Sequence, residues 1–412
     1  MNLQGFVCTT CGKFYSSLPQ GMICEDCTQQ GILDVVYDYQ AIAKEFHPNA
    51  LRLNPDSSMW RYLSLLPVKE KPKQGLHVGG TPLYSSQAFA SQVGLKSLYI
   101  KDDGLNPTGS LKDRASIVAC VKAIEEGKTI LCCSSTGNAA SSLAGNAAKL
   151  GLQTVIFVPK RIPIGKRTQL QLFGSHVIVV DGDYKAAFQR SKQAIETFGF
   201  YNRNAAINPF LVEGKKTVAL EIAEQMQFQN IDWVVVSVGD GCTIAGVYKG
   251  FYDLFQLGMI KSIPKLLGVQ ASGCRPFVDA WEHQRDVQES EEQTLADSIA
   301  VGIPRNPKKA IRAIQESKGC FVSVSDEAIL STMAFLGKTE GLFVEPASAA
   351  GFAGLIEAFQ KGIIRSEETV VVINTGNGLK DIENAKKAVS ELEITPNDWE
   401  YVKQLLHKEG IL

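Results

Sequence analysis

The chain has 412 residues, and its 45% hydrophobic content can fill a sizeable core in two domains or in one large domain with an insertion. Its 42 lysines and arginines balance 43 aspartates and glutamates, so it lacks the basic surplus that neutralises a nucleic-acid backbone. The first residues lack the features of a signal peptide, and no apolar run approaches the length of a membrane span. We therefore expect a cytoplasmic protein that binds neither nucleic acids nor membranes.

Four of the ten cysteines form two C-x-x-C pairs near the start of the chain, Cys8 with Cys11 and Cys24 with Cys27. Two such pairs can present four thiolates to one tetrahedral ion, which is the pattern of a zinc ribbon. Four thiolates leave no open coordination position, so the pattern predicts a structural zinc rather than a catalytic one. The alternatives are redox-active or incidental pairs, or a ribbon that no longer holds metal.

From residue 97 onward, short apolar runs that favour strands alternate with stretches of helical spacing. The runs are SLYIKD, TILCCSS, TVIFVP, HVIVVD, DWVVVSVG, KLLGVQA and TVVVINTG. This alternation is typical of βαβ units and predicts an α/β protein with a largely parallel sheet that is covered on both faces. Such sheets bind ligands at the carboxyl ends of their strands. The charge-rich residues 279–294 are predicted to form an exposed connection.

Three loops after predicted strands carry groups that bind anions. In SSTGN, residues 134–138, hydroxyls and backbone N–H groups gather at the start of a helix. In the loop GDGCT, residues 239–243, glycines let successive N–H groups converge on a phosphate, and the spacing excludes the common dinucleotide and nucleotide motifs. The third loop, NTGNG, contains Thr375. Each loop taken alone is equally compatible with helix capping or a tight turn.

Lys112 lies in the stretch NPTGSLKDRAS, between a glycine-rich turn and an apolar run with helical spacing. A lysine that faces a loop able to bind phosphate (239–243), a second anion site (134–138) and a loop that offers a hydroxyl group (374–378) meets the requirements for holding pyridoxal phosphate (PLP) and an amino acid. Desolvation and cationic neighbours would lower the pKa of Lys112 so that its amine can attack. The residues alone leave open a surface lysine and a phosphate-binding protein without this cofactor.

The order of the motifs resembles that of the threonine synthase family among the fold-type-II PLP enzymes. The similar segments are ILDVVYDY, WRYLSLLPV, GGTPLY, NPTGSLKDR, SSTGN, NPFLVEGKKT, EPASAA and TGNGLKD. The resemblance implies a fold like that of the tryptophan synthase β subunit, with two open, twisted α/β domains that hold the cofactor between them. The implied parts are a zinc-ribbon-like segment (1–36), a large PLP-binding domain (37–114 and 201–390), a small α/β domain (115–200) and a C-terminal helical tail (391–412). The resemblance also implies amino-acid biosynthesis, a small-molecule amino-acid substrate and a homodimer.

By the same resemblance, Lys112 forms the Schiff base with the cofactor and moves protons at the carbons of the substrate. Asn138 would hydrogen-bond the ring oxygen of the cofactor, and Glu345 is expected behind the groups that touch it. Thr375 would face the pyridine nitrogen, where a neutral hydroxyl suits elimination and replacement better than transamination. The residues implied to cradle the cofactor phosphate are Gly239, Asp240, Gly241, Cys242 and Thr243.

The substrate site departs from the family pattern. Ser135 and Thr136 would hold the substrate carboxylate, but the positions expected to bind the leaving phosphate of O-phosphohomoserine are apolar or shortened. These positions are Ala139, Ala205, Ala206, Leu211 and Thr243. Each lost charge-assisted bond to a phosphate costs about 1.5–3 kcal/mol unless another residue replaces it. Arg203, Lys215 and Lys216 are the candidates for that replacement.

We therefore expect a PLP-dependent lyase or synthase that resembles threonine synthase, which converts O-phospho-L-homoserine and water into L-threonine and phosphate. One alternative is an enzyme that eliminates or replaces the β-substituent of a serine or threonine derivative, such as an ammonia-lyase or a synthase similar to cysteate synthase that adds sulfite. The other alternative is a zinc-ribbon binding protein without enzymatic activity.

Overall fold

The structure is a computed structural model that describes residues 2–135, 137–160, 164–182, 184–392 and 394–411. Its strands are β1 (Leu3–Cys8), β2 (Phe14–Tyr15), β3 (Leu33–Tyr37), β4 (Leu83–Ser85), β5 (Ser97–Asp102), β6 (Ile130–Ser134), β7 (Gln153–Pro159), β8 (His176–Val180), β9 (Tyr201–Asn202), β10 (Trp233–Ser237), β11 (Lys265–Ala271), β12 (Cys320–Val324) and β13 (Thr369–Asn374). Its α-helices are α1 (Tyr39–Ile42), α2 (Pro48–Leu53), α3 (Gln87–Val93), α4 (Lys112–Glu125), α5 (Asn138–Lys149), α6 (Ile164–Leu172), α7 (Tyr184–Phe198), α8 (Phe210–Gln225), α9 (Cys242–Gln256), α10 (Pro276–Glu282), α11 (Pro307–Glu316), α12 (Asp326–Glu340), α13 (Pro346–Gln360), α14 (Ile382–Ala385) and α15 (Trp399–Lys408). None of these helices is both long and apolar enough to span a bilayer.

The described strands form three sheets. The first, ordered β2-β1-β3, is antiparallel. The second, ordered β12-β11-β10-β13-β5-β4, is parallel except for β4, and the third, ordered β8-β7-β6-β9, is parallel throughout. The predicted α/β class is therefore confirmed, and each predicted apolar run contains a strand. The strands of the first sheet were not predicted individually, and neither were β4, β9 and β12, which lie at the edges of the other two sheets.

The second sheet is buried on both faces, which explains its continuous apolar strands. In β10, Val234 and Val236 join the core beneath α8 and α9, whereas Trp233 and Val235 join the core beneath α12 and α13. Successive side chains of a strand point to opposite faces, so a strand between two helical layers must be apolar at every position.

Helix α4 links the two parallel sheets, because it packs against α8 on one side and α5 on the other. The chain enters α4 directly after β5 of the second sheet and leaves it toward β6 of the third. The loops that follow β5, β10 and β13 open at the carboxyl edge of the second sheet, and the loop that follows β6 opens at the carboxyl edge of the third. The two edges come together where Asn138, after β6, contacts Glu345, which is bound to the loop after β13.

A buried ion network holds α4 in place beside β5. The Arg114 guanidinium donates Nε to Asp103 Oδ2 at 2.6 Å and Nη1 to Glu221 Oε1 at 2.6 Å, and all three side chains are almost completely buried. Lys101 Nζ adds a 2.7 Å ion pair with Glu221 Oε2. Because breaking one member of a buried network leaves an uncompensated charge, each member is needed once the others are in place.

Replacing Glu221 with glutamine leaves Arg114 and Lys101 with one carboxylate, that of Asp103. We expect the free energy of unfolding, measured by urea denaturation, to fall by about 3–5 kcal/mol. The control is Glu196→Gln, which removes an exposed 3.7 Å pair with Lys192 and should change the same quantity by less than about 1 kcal/mol. A similar loss in both variants would contradict the role of the network.

Candidate active site

Lys112 is the first residue of α4 and lies where two loops are joined. Ser110 pairs with Gly376 in a β-bridge, and Leu111 N–H donates to Thr375 O at 3.0 Å, so the loop after β5 is tied to the loop after β13. The Lys112 side chain is half-buried and forms no hydrogen bond or ion pair with any described residue. Burial lowers the pKa of its amine and Arg203 acts in the same direction, whereas Glu345 opposes them. This environment favours the neutral, nucleophilic amine.

The loop between β10 and α9 presents free backbone donors. The N–H groups of residues 239–244 have no acceptor in the part of the chain that the structure describes. Gly241 has φ +83°, and a Cβ placed on it would lie 2.8 Å from Ala310 Cβ and 2.9 Å from Asn306 O. The backbone at Gly241 therefore has a conformation and a close contact that only glycine allows. The amides of this loop lie at the N-terminus of α9, which is the arrangement that binds phosphate groups in proteins.

Asp240, in the same loop, binds the segment that precedes α11. Its Oδ1 accepts from Arg305 N–H at 3.3 Å, and its carbonyl accepts from Asn306 N–H at 3.1 Å. The side-chain amide of Asn306 is buried, and neither of its polar atoms has a partner among the described residues. Sequence reasoning missed Asn306, because nothing in its neighbourhood along the chain marks it as part of this loop.

Asn138 brings the third sheet into the site. It begins α5, and its Nδ2 donates to Glu345 Oε2 at 2.9 Å and Oε1 at 3.0 Å. Glu345 is 3% exposed, its N–H donates to Gly376 O at 3.0 Å, and any Cβ on Gly376 would overlap its carboxylate. The resemblance placed Glu345 behind the residues that touch the cofactor. In the structure its carboxylate contacts one of those predicted residues, Asn138.

Thr375 and Ser135 lie on opposite edges of the cleft. Thr375 is buried, and its backbone N–H donates to Ser348 Oγ at 3.0 Å. Ser135 is half-buried, and its Oγ accepts from Gly137 N–H at 3.2 Å at the start of α5. Thr136, the other predicted carboxylate ligand, lies outside the described residues.

Of the three candidate replacement cations, two lack a carboxylate. Lys216 pairs with Glu213 at 2.5 Å and with Asp253 at 2.6 Å, so its charge is already balanced. Arg203 and Lys215 are buried, and neither forms an ion pair within the described ranges. Burial lowers the pKa of Lys215 to about 8, and the charges of Lys112 and Arg203 contribute in the same direction.

Three of the apolar positions noted in the sequence pack against apolar neighbours, and the fourth, Ala139, is half-buried at the start of α5. Ala205 and Ala206 contact Cys242 of the 239–243 loop and Ile32 of the N-terminal segment, and Leu211 is buried in the core beneath the third sheet. These side chains offer no hydrogen bond to an anion.

The four N-terminal cysteines form one cluster. The sulfurs of Cys8, Cys11, Cys24 and Cys27 lie within 4.8 Å of one another, all four are free thiols, and Cys11 Sγ is 3.7 Å from Cys24 Sγ. Zinc–sulfur bonds of about 2.3 Å in a tetrahedral site place sulfurs about 3.8 Å apart, which matches this cluster. The cysteines therefore fit a structural tetrathiolate metal site.

Comparisons with known proteins agree with this geometry. The family model described as "Pyridoxal-phosphate dependent enzyme" matches residues 75–376. Threonine synthase of Methanocaldococcus jannaschii is 38% identical over 403 residues, which cover 97% of this chain and 98% of that protein. Threonine synthase of Methanosarcina acetivorans is 40% identical over 378 residues, which cover 91% of each chain.

Solved structures share the fold at lower identity. Threonine deaminase isoform 2 of Solanum lycopersicum has a TM-score of 0.64 at 20% identity, with 76% of this chain and 88% of that chain covered. Diaminopropionate ammonia lyase of Escherichia coli has a TM-score of 0.65 at 18% identity, with 82% of this chain and 93% of that chain covered. Together with the Lys112 amine and the backbone amides of residues 239–244 at one sheet edge, the matches along the sequence lead to one conclusion: this chain is a PLP-dependent lyase and belongs to the threonine synthase family.

Proposed function

We propose that the protein removes a group from the side chain of an amino acid, and that the threonine synthase reaction on O-phosphohomoserine is the first to test. The observation that carries this proposal is the Lys112 amine, which has no ion pair among the described residues and lies at the same sheet edge as the amides of residues 239–244, which likewise have no described acceptor. The relatives named above, which cover nearly the whole chain, carry the name threonine synthase.

The residues of the cleft fit PLP. The Lys112 amine would bind the cofactor aldehyde and would move protons at the reacting carbons, and the amides of residues 239–243 would bind the phosphate. Asn138 Nδ2, which contacts Glu345, would supply the donor for the ring oxygen, and Thr375 would supply a neutral partner for the ring nitrogen. When bound, the cofactor withdraws electrons from the substrate carbon. A neutral ring favours elimination and replacement over transamination.

The substrate carboxylate is assigned to the N-terminus of α5. Ser135 provides a hydroxyl there, and Thr136 is the other proposed ligand. The positive end of the helix dipole favours an anion at this end. Arg203, buried at the carboxyl edge of the same sheet, adds a positive charge nearby.

A second candidate function is elimination or replacement on a serine or threonine derivative. It is favoured by Ala206 and Leu211, which are both buried and apolar where the family pattern leads us to expect polar anchors for the leaving phosphate. A shorter substrate would place its leaving group at a different distance from Lys112.

We also propose that the cysteine cluster binds zinc and that β6, β7 and β8 of the third sheet belong to a separate small domain of residues 115–200. The helical tail of residues 391–412, the homodimer and the cytoplasmic location stay predictions.

The first experiment tests the reaction. The purified protein with bound PLP is mixed with O-phosphohomoserine, and we expect equal amounts of inorganic phosphate and threonine. Lys112→Ala should lose the visible absorbance of lysine-bound PLP and at least about 10³-fold in rate, because both attachment and proton transfer are removed. Lys149→Ala, an exposed lysine on α5, is the matched control. Turnover of O-phosphoserine or serine instead would favour the second candidate, and an unaltered rate in Lys112→Ala would refute the assignment.

The second experiment tests the phosphate loop. Gly241→Ala places a methyl group against Ala310 and Asn306, so the loop must shift, and we expect PLP affinity to fall by about 10-fold or more. Gly258→Ala is the control, because Gly258 also has positive φ (+67°) but open space around it. PLP titration followed by visible absorbance measures both. Equal affinities in the two variants would show that this loop does not hold the cofactor.

The third experiment measures metal content by mass spectrometry. We expect about one zinc per chain, lost in Cys24→Ser and retained in Cys320→Ser, because only the first change removes a cluster thiolate. Protein purified without metal, or with the same metal in both variants, would rule out the zinc site.

A further inference from the structure

Both residues that flank Gly241 in the 239–243 loop are connected to the N-terminal segment that contains the cysteine cluster. On one side, Asp240 is held by the residues that precede α11, and α11 itself contacts β3. On the other side, Cys242 lies in an apolar cluster with Ile32, which precedes β3. The backbone amides of the loop have no acceptor among the described residues, so contacts with neighbouring segments must help to fix its path.

The backbone around Ile32 is bound to the cysteine cluster at two points. The Ile32 carbonyl accepts from the Thr9 N–H at 2.9 Å and from the Thr9 hydroxyl at 3.0 Å, and Thr9 directly follows Cys8. The carbonyl of Gly31 accepts from the Cys24 N–H at 2.7 Å, and a Cβ placed on Gly31 would lie 2.6 Å from Cys24 Cβ. The position of Ile32 therefore depends on the arrangement of the residues that carry the cluster thiols.

The side chain of Ile32 packs at the start of α9. It is buried and shares a small apolar cluster with Ala206 and Cys242, against which Ala205 also packs. Cys242 is the first residue of α9 and follows Gly241, where the backbone takes its positive φ. Shortening the Ile32 side chain would leave a cavity in this cluster, and the neighbouring residues would relax into it only in part. The start of α9 would then be held less firmly.

The second connection runs through the first turn of α11. Lys309 is buried, and its Nζ pairs with Asp34 Oδ1 at 2.8 Å and donates to Leu33 O at 2.6 Å. At the start of the same helix, Asn306 N–H donates to Asp240 O at 3.1 Å. Without Asp34 the buried ammonium would lose its counter-charge, so α11 keeps its place only while β3 is folded against it. The N-terminal segment thus reaches the loop from both sides.

We propose that the N-terminal segment positions the 239–243 loop for the cofactor phosphate, and that Ile32 is a positioning residue for that loop. This inference rests on the proposed function, because it needs the cofactor phosphate at this loop. A metal ion at the four thiols orders the turn that carries Ile32, so zinc and PLP bind with positive coupling although their sites share no residue. Such coupling is reciprocal: zinc raises the affinity for PLP by the same factor by which PLP raises the affinity for zinc.

The first test compares Ile32→Ala with Val35→Ala in the zinc-loaded protein. We expect Ile32→Ala to raise the Kd for PLP by about 10-fold, because the loop then adopts its binding conformation for a smaller fraction of the time. Val35→Ala is the matched control, since Val35 is also buried in this segment but belongs to a different core cluster from Cys242. Both changes should lower the urea midpoint, whereas only Ile32→Ala should weaken PLP binding. Ile32→Val should restore most of the PLP affinity.

The second test measures the coupling between the two sites. Removing zinc with a chelator should raise the Kd for PLP by about 10-fold, and bound PLP should strengthen zinc binding by the same factor when zinc is titrated against a chromogenic chelator. In Ile32→Ala the cluster thiols are intact, so zinc should still bind, but the coupling factor should be smaller. A segment that only stabilises the fold would change the urea midpoint on zinc removal and leave the Kd for PLP unchanged.

Three results would overturn the inference: an unchanged Kd for PLP in Ile32→Ala, equal losses of PLP affinity in Ile32→Ala and Val35→Ala, or a Kd for PLP that does not depend on zinc. Gly241→Ala separates these failures from failure of the proposed function. If Gly241→Ala weakens PLP binding and Ile32→Ala does not, the loop binds the cofactor and only the positioning role is wrong. If neither variant weakens PLP binding, the assignment of the loop is wrong as well.

Discussion

The buried contact of Arg114 with Asp103 and Glu221 is the interaction on which the site depends. It joins the end of β5, the first turn of α4 and the middle of α8, and so fixes where Lys112 emerges between the two parallel sheets. Lys112 is two residues from Arg114, so a displaced guanidinium would move the reactive amine with it. The position of the amine is therefore set by ion pairs that never touch a ligand.

The buried cations of the scaffold differ from those near the site in whether a carboxylate balances their charge. Elsewhere in the described chain the buried cations meet carboxylates, as Lys216 meets Asp253 and Lys309 meets Asp34. Near the site, Glu345 contacts Asn138, and Asp240 binds the segment that precedes α11. Arg203 and Lys215, which are equally buried, have no carboxylate partner among the described residues, so they are the exception to this balance.

The N-terminal segment is part of this arrangement. Asp34 of β3 pairs with Lys309 at 2.8 Å, and Lys309 Nζ also donates to Leu33 O at 2.6 Å. Ile32 packs on Cys242 at the start of α9. The cysteine cluster is therefore connected through β3 to both α11 and the phosphate loop, although no cysteine of the cluster lies in the cleft.

Short sequence patterns were enough to predict the fold class, the cysteine cluster and part of the site. Apolar runs of strand length, separated by helical spacing, gave the α/β class, and two C-x-x-C pairs gave the thiolate cluster, because hydrophobic periodicity and ligand spacing are properties of short segments. The motif around Lys112 and the 239–243 loop could also be predicted, because a glycine turn and the first residues of a helix depend on residues that are close together in the sequence. Only the tertiary structure decided which cations are balanced: Lys215 and Lys216 are neighbours in sequence, yet Lys216 pairs with Glu213 and Asp253, whereas Lys215 has no carboxylate partner among the described residues. Successive residues of a helix point about 100° apart, so Lys216 reaches Asp253 of α9, a residue far away in the sequence, and Lys215 does not.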